Sequence, residues 1–239
     1  MDHEPIWKRA RADLLIPITG GDHDLFLWEH SWRIARTAET IAGFPEVGRR
    51  GPDVAAVIAA ALYHDAGWSV RCRAGECDRT EILTNSLSEG DREESARLLE
   101  RSLGNVLGPD TLQRAVRAVR SAHDRSTDCV EAMILADARS VQEFGVLSLW
   151  PMIRRGMQEG KGVQAVLDVW QRKKEYHFWD ARLGDSFHFE AVRELARRRL
   201  EQFERLIVEL KEQHYSEDAA TAASPPPPPQ TPTPARRGL

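Results

Sequence analysis

The chain has 239 residues, 33 Lys and Arg against 37 Asp and Glu, a formal charge of −4 and 41% hydrophobic residues. That length suits one large domain with modest extensions, and the acidic balance excludes a basic surface running over the whole molecule, which argues against a nucleic-acid partner. No run approaches the roughly 18 apolar residues of a membrane helix, and the opening Met-Asp-His-Glu-Pro lacks the parts of a signal peptide, so a cytoplasmic protein without a membrane partner is expected. Three cysteines are too few for a disulfide framework. Cys72 and Cys77 share an arginine-rich loop and Cys129 stands alone, so reduced thiols are expected.

Residues 1–23 read as an N-terminal extension, 24–215 as one helical domain, and 216–239 as a tail. A first helix runs from Trp28 to Ala42, between the Gly20-Gly21-Asp22 turn and Gly43. A second covers 53–65, too rich in alanine for a strand, and Gly67 closes it. The stretch 68–89 reads as a long loop, and loops of that length are commonly functional. Helices follow at 91–103, 110–122, 126–137 and 162–177. The longest, from Phe187 to Gln213, draws one apolar stripe through Phe189, Val192, Ala196, Leu200, Phe203, Ile207 and Leu210. The tail holds seven of the thirteen prolines, five of them consecutive from Pro225 to Pro229. Such a segment buries little and is expected to be disordered. The fold class is therefore all-α, with a long C-terminal helix.

Among the eight histidines, three stand where chemistry is plausible. His30 lies early on the first helix. His64-Asp65 ends the apolar second helix, and His123-Asp124 ends another. Asp137 reads as a carboxylate closing the apolar run Ala132 to Ala136. A carboxylate stranded at the end of an apolar helix is costly unless it is paired or bound to a cation. His30, His64, Asp65 and Asp137 together would make a mixed nitrogen and oxygen site, suited to Mn²⁺, Fe²⁺, Co²⁺ or Zn²⁺. Each residue taken alone is more often a structural group, and it is their coincidence at apolar helix ends that points to an ion.

The order of these elements resembles the HD superfamily of metal-dependent phosphohydrolases. His30 with Arg33 is similar to its His-x-x-Arg helix, and Ala61-Leu62-Tyr63-His64-Asp65-Ala66-Gly67 to its Leu-Leu-His-Asp-Ile-Gly core. The stretch from Ile134 to Gly145 resembles the segment that opens with Asp-Ala-Asp. The resemblance covers about residues 24–210 and implies an HD-type helical domain. It also implies one divalent ion (Mn, Co, Fe, Ni or Zn, with Mg as a further candidate) held by His30, His64, Asp65 and Asp137. Three departures stand out: Trp68 falls where relatives carry a basic residue or a glutamate, Arg139 matches the second acid of the triplet, and Gln142 matches a later acid.

On this resemblance the expected function is hydrolysis of a nucleotide or similar small phosphorylated metabolite by a metal-activated water. Asp65 and His123 are the expected catalytic residues, His123 as substrate contact, general acid or ligand of a second ion. Arg33, Trp68, Arg125 and Arg139 are the expected substrate contacts, although the arginines serve equally as surface charges. Glu76 and Asp78 are further acids within the 68–89 stretch. A homodimer is one possible assembly, and the sequence does not fix the oligomeric state. The alternative is a catalytically degenerate module that senses a metal or ligand or binds a protein.

Overall fold

A computed structural model describes residues 3–18 and 20–222. In chain order, α1 (Glu4–Leu14) precedes a minimal antiparallel pair, β1 (Ile16–Pro17) with β2 (His23–Asp24), in which Ile16 faces Asp24 and Pro17 faces His23. There follow α2 (Phe26–Ala42), α3 (Pro45–Gly48), α4 (Val54–Tyr63), α5 (Gly67–Ala74), α6 (Glu89–Leu103), α7 (Pro109–Ser121) and α8 (Val130–Gln142). The C-terminal part holds α9 (Leu149–Gln158), α10 (Val163–Glu175), α11 (Phe178–Asp185), α12 (Glu190–His214) and α13 (Glu217–Ala222). Single 3₁₀ turns occur at Arg79–Glu81 and Val146–Ser148. The all-α class and the long C-terminal helix are as the sequence predicts.

Helix α4 is the axis of the domain. Nine of its ten residues are apolar and buried, and α1, α2, α6, α7 and α8 pack around it. Asp53 caps its start by accepting from Ala56 N at 3.1 Å and also accepts from Thr111 Oγ1 at 2.6 Å, which ties α7 to the same point. Fully buried Ile58 and Leu62 each contribute about 1.5–3 kcal/mol of hydrophobic stabilisation. A helix apolar on every side has to sit at the centre, so the residues at its end emerge from the middle of the molecule.

Several segments differ from their sequence reading. The N-terminal extension contains α1, whose Ile6, Ala10 and Leu14 are buried, and Asp13 accepts from Tyr63 on α4 at 2.6 Å. The 68–89 stretch begins with α5 and continues through the 3₁₀ turn. Gly75, at φ +75°, ends α5 in the left-handed conformation that glycine adopts without strain. The helix expected at 126–137 is α8, which runs on to Gln142 because Ala-Arg-Ser-Val-Gln contains no breaker. Asp137 therefore lies within the helix and does not end it. The helix expected at 162–177 breaks near His177, which is left-handed at φ 51°, and α11 follows. Along α12, Val192, Ala196, Phe203 and Ile207 are buried. Trp170 of α10 and Trp179 of α11 meet Phe203 with ring centroids at 4.8 and 6.3 Å, which fixes the three C-terminal helices as one layer. The segment read as a tail begins with α13, and residues 223–239, including the proline run, lie outside the described residues.

Candidate metal centre and its cavity

Beyond Tyr63 the chain turns out of the core, and the next two residues are His64 and Asp65. His64 Nδ1 stands 2.8 Å from the carbonyl of Ala61. A carbonyl only accepts, so Nδ1 carries a proton, and in the neutral tautomer Nε2 holds the lone pair. Nε2 is buried and forms no hydrogen bond, although Asp65 Oδ2 lies 3.0 Å away. In that tautomer the imidazole nitrogen and the carboxylate oxygen face each other as two acceptors. From α2, His30 brings its Nε2 to 3.5 Å from the same oxygen. The three ligand atoms lie within 4.8 Å of one another.

Burial pushes His30 down, against the pull of Asp65 upward, which keeps the ring neutral with a lone pair to offer. Burial alone would raise Asp65. His64, His30 and Arg139 outweigh it and hold the carboxyl well below the usual carboxylate range. Two imidazoles and one carboxylate, gathered around a buried nitrogen without a hydrogen bond, are a donor set that fits a divalent transition ion. A harder ion such as Mg²⁺ suits this nitrogen-rich set less well.

Asp137 is not part of the cluster. It is fully buried, and its two oxygens accept from His188 N at 2.8 Å and Phe189 N at 3.0 Å, at the start of α12. The carboxylate expected as a fourth ligand thus joins α8 to α12. Burial pushes it up to about 7 in spite of the two amide donors.

The cluster opens into a cavity of about 540 Å³ whose wall includes His30, Arg33, Asp65, Trp68, His123 and Arg139. Arg33 lies one turn beyond His30 on the same helix face. Trp68 is 3% exposed and forms a wall, with the Arg71 guanidinium 5.4 Å from its ring centre. Arg139 Nη1 lies 3.2 Å from His123 Nε2. A guanidinium only donates, so His123 accepts. Burial, with Arg139 and Arg92 nearby, pushes His123 down to about 4, and at neutral pH it holds no extra proton for a leaving group. Arg125 is exposed and does not line the cavity, and neither do Glu76 and Asp78. Asp78 instead caps the 3₁₀ turn, accepting from Thr80 N at 2.7 Å.

Two lining cations were not singled out in the sequence, Arg92 and Lys173. Lys173 sits within Arg172-Lys173-Lys174, where nothing local marks it. Its ammonium lies 4.5 Å from the Phe178 ring centre and 4.9 Å from that of Trp179, and burial lowers its pKa. Arg92 donates to Leu87 O at 2.8 Å, holding the loop that forms one wall.

Fold and site together define a helical domain with a His/His/Asp cluster at the end of its central helix. Residues 27–142, from α2 to α8, match the family model of the HD domain. This segment of the chain is thus an HD domain, the domain type of the HD superfamily of metal-dependent phosphohydrolases. Among solved structures it is similar to Bacillus subtilis YpgQ in complex with ADP, at 21% identity over 89% of this chain and 94% of that one, with a TM-score of 0.52. Another structure of Bacillus subtilis YpgQ gives 18% identity over 89% and 97%, with a TM-score of 0.53. At these identities the likeness is one of fold. No curated protein matches the chain. Among the described residues no helix is long and apolar enough to cross a membrane.

Proposed function

We propose that the chain is a metal-dependent phosphohydrolase acting on a nucleotide or a similar small phosphorylated metabolite. The observation that carries this reading is the juxtaposition, at one cavity, of a His/His/Asp cluster with an unpartnered His64 nitrogen and cations without carboxylate partners. His30, His64 and Asp65 would hold the ion, and Arg33 and Arg139 would bind phosphoryl oxygens. Once bound, a divalent ion supplies an acidified water and a Lewis acid. Asp65, ionised and with its second oxygen available, is positioned to accept a proton. Trp68 closes one side and limits the approach of bulk water. The YpgQ structure that contains ADP supports a nucleotide as the first class to test.

The test is a panel of nucleoside mono-, di- and triphosphates with added Mn²⁺, Co²⁺, Zn²⁺ or Mg²⁺. Metal-dependent release of phosphate or pyrophosphate from at least one nucleotide is expected, with Mn²⁺ or Co²⁺ above Mg²⁺ because imidazole suits the softer ions. Asp65→Ala should lower it at least about a hundredfold. A second reading, a degenerate module that senses a ligand, is favoured by one observation: the other carboxylate lining the cavity, Glu143, is paired with Arg182 at 2.7 Å and is not free to serve as a base. A metal-loaded protein that binds a nucleotide in calorimetry and hydrolyses none would establish that second reading.

A further inference from the structure

Four cations line the cavity: Arg33, Arg92, Arg139 and Lys173. Among the described residues none has a carboxylate within 4.0 Å. Several arginines elsewhere do have carboxylate partners: Arg120 donates twice to Glu93, at 2.9 and 2.6 Å, and Arg117 meets Asp128 at 2.5 Å. Unpaired guanidinium groups in a concave site imply an anion that arrives from outside.

Arg139 has a particular place among them. Successive helix residues are about 100° apart, so residues 137 and 139 of α8 point to opposite sides. Asp137 faces α12, and Arg139 consequently faces His30, His64 and Asp65. The side of the cluster presented by α8 is therefore a cation. The His123 acceptor holds one nitrogen of the fork, and the remaining N–H groups have no carboxylate to bind. An ion held by two neutral imidazoles and one carboxylate keeps net positive charge and repels a guanidinium across the same cavity. A group with two or more anionic oxygens placed between them turns that repulsion into two attractions, and a phosphoryl group matches the planar fork.

We infer that a phosphoryl group bridges the ion at His30/His64/Asp65 to the Arg139 guanidinium, so that divalent ion and phosphoanion bind with positive coupling. The inference rests on the metal reading given above and adds a role for Arg139 as the positioning residue that makes metal affinity depend on substrate. Coupling of this kind is reciprocal: the phosphoanion tightens the ion by the same factor as the ion tightens the phosphoanion.

The full-length protein, in phosphate-free buffer, is titrated with Mn²⁺ while free Mn²⁺ is read by electron paramagnetic resonance. The titration is repeated with saturating methylphosphonate, a stable dianion that binds Mn²⁺ weakly in water, and its ³¹P line reports how close the bound ion lies. In the wild type the Mn²⁺ Kd should fall about tenfold or more with methylphosphonate, and the ³¹P line should broaden. In Arg139→Gln the coupling should drop below about twofold, with the Kd for Mn²⁺ alone unchanged or tighter because a repelling charge is gone. Arg139→Lys should retain part of the coupling, and circular dichroism confirms that both variants fold. Equal Mn²⁺ affinity with and without methylphosphonate in the wild type, or full coupling in Arg139→Gln, overturns the inference. If Mn²⁺ binds and is lost in His64→Ala but shows no coupling, only the bridging role falls. If the wild type binds no Mn²⁺ under either condition, the metal reading falls with it.

Discussion

Asp137 shows how a single carboxylate acquires its role from what it faces. Desolvation favours its protonated form in the folded chain, at about 7, whereas the unfolded chain titrates near the ordinary value of about 3.9. Between those values the folded state holds a proton that the unfolded state has released, so stability falls as pH rises from about 4 to about 7. Asp65 acts in the opposite sense at lower pH: its depressed value contributes stability that is lost as pH falls through the acid range. Asp137→Asn removes the first titration and keeps a carbonyl acceptor for one amide. Urea midpoints measured from pH 4.5 to 7.5 should slope downward in the wild type and be flatter in the variant; parallel curves would show that Asp137 is ionised throughout. His123 belongs to the same scale. Because it accepts from Arg139 and is neutral at pH 7, His123→Ala should raise KM several-fold through a less ordered Arg139 while kcat stays within about tenfold. A fall in kcat beyond a hundredfold at unchanged KM would restore the role of general acid.

At the scale of the element, the junction between α4 and α5 is the most constrained part of the site. Gly67 N donates to Ser95 Oγ at 2.7 Å, and a Cβ at Gly67 would overlap the Asp91 carbonyl on α6. The glycine is thus required by the close approach of two helices, since its φ is not in the left-handed region. Gly67→Ala should push α5 away from α6, displace Trp68 and destabilise the fold by about 2–4 kcal/mol. Gly108→Ala, where a Cβ meets nothing within 4 Å, should change stability by less than about 0.5 kcal/mol. Chemical denaturation of the two variants checks the contrast, and equal stabilities would mean that α6 yields at little cost.

Across the whole molecule, the ion site joins elements that are distant in sequence. Residues from α2 and from the end of α4 share it, and Arg139 of α8 faces it. An ion present at about 100 times its Kd adds roughly 2.7 kcal/mol of stability, which in a domain of this size is about 5–10 °C of melting temperature. Removing the ion with a chelator should reverse that rise in the wild type and have no effect in His64→Ala. A chelator-insensitive melting temperature in the wild type would count against a resident ion.

The amino-acid pattern by itself determined the helical class, the apolar helix α4 and the pair His64-Asp65 at its end, because an apolar helix ending in two polar residues has few places to go. It also marked His30 and Arg33, one turn apart on a helix whose other face is apolar. Short helices escaped it. α5, with Arg71, Cys72 and Arg73, has no apolar period, and α1 shows only three apolar contacts spaced by four. The destination of Asp137 was not legible either, since a carboxylate within an apolar run is equally suited to an ion or to two backbone amides. Only the position of α12 decided between them. The gathering of Arg92, Arg139 and Lys173 from α6, α8 and α10 was likewise a tertiary outcome: each charge is ordinary along the chain, and it is the folding of three helices around one cavity that leaves these cations together and without carboxylate partners.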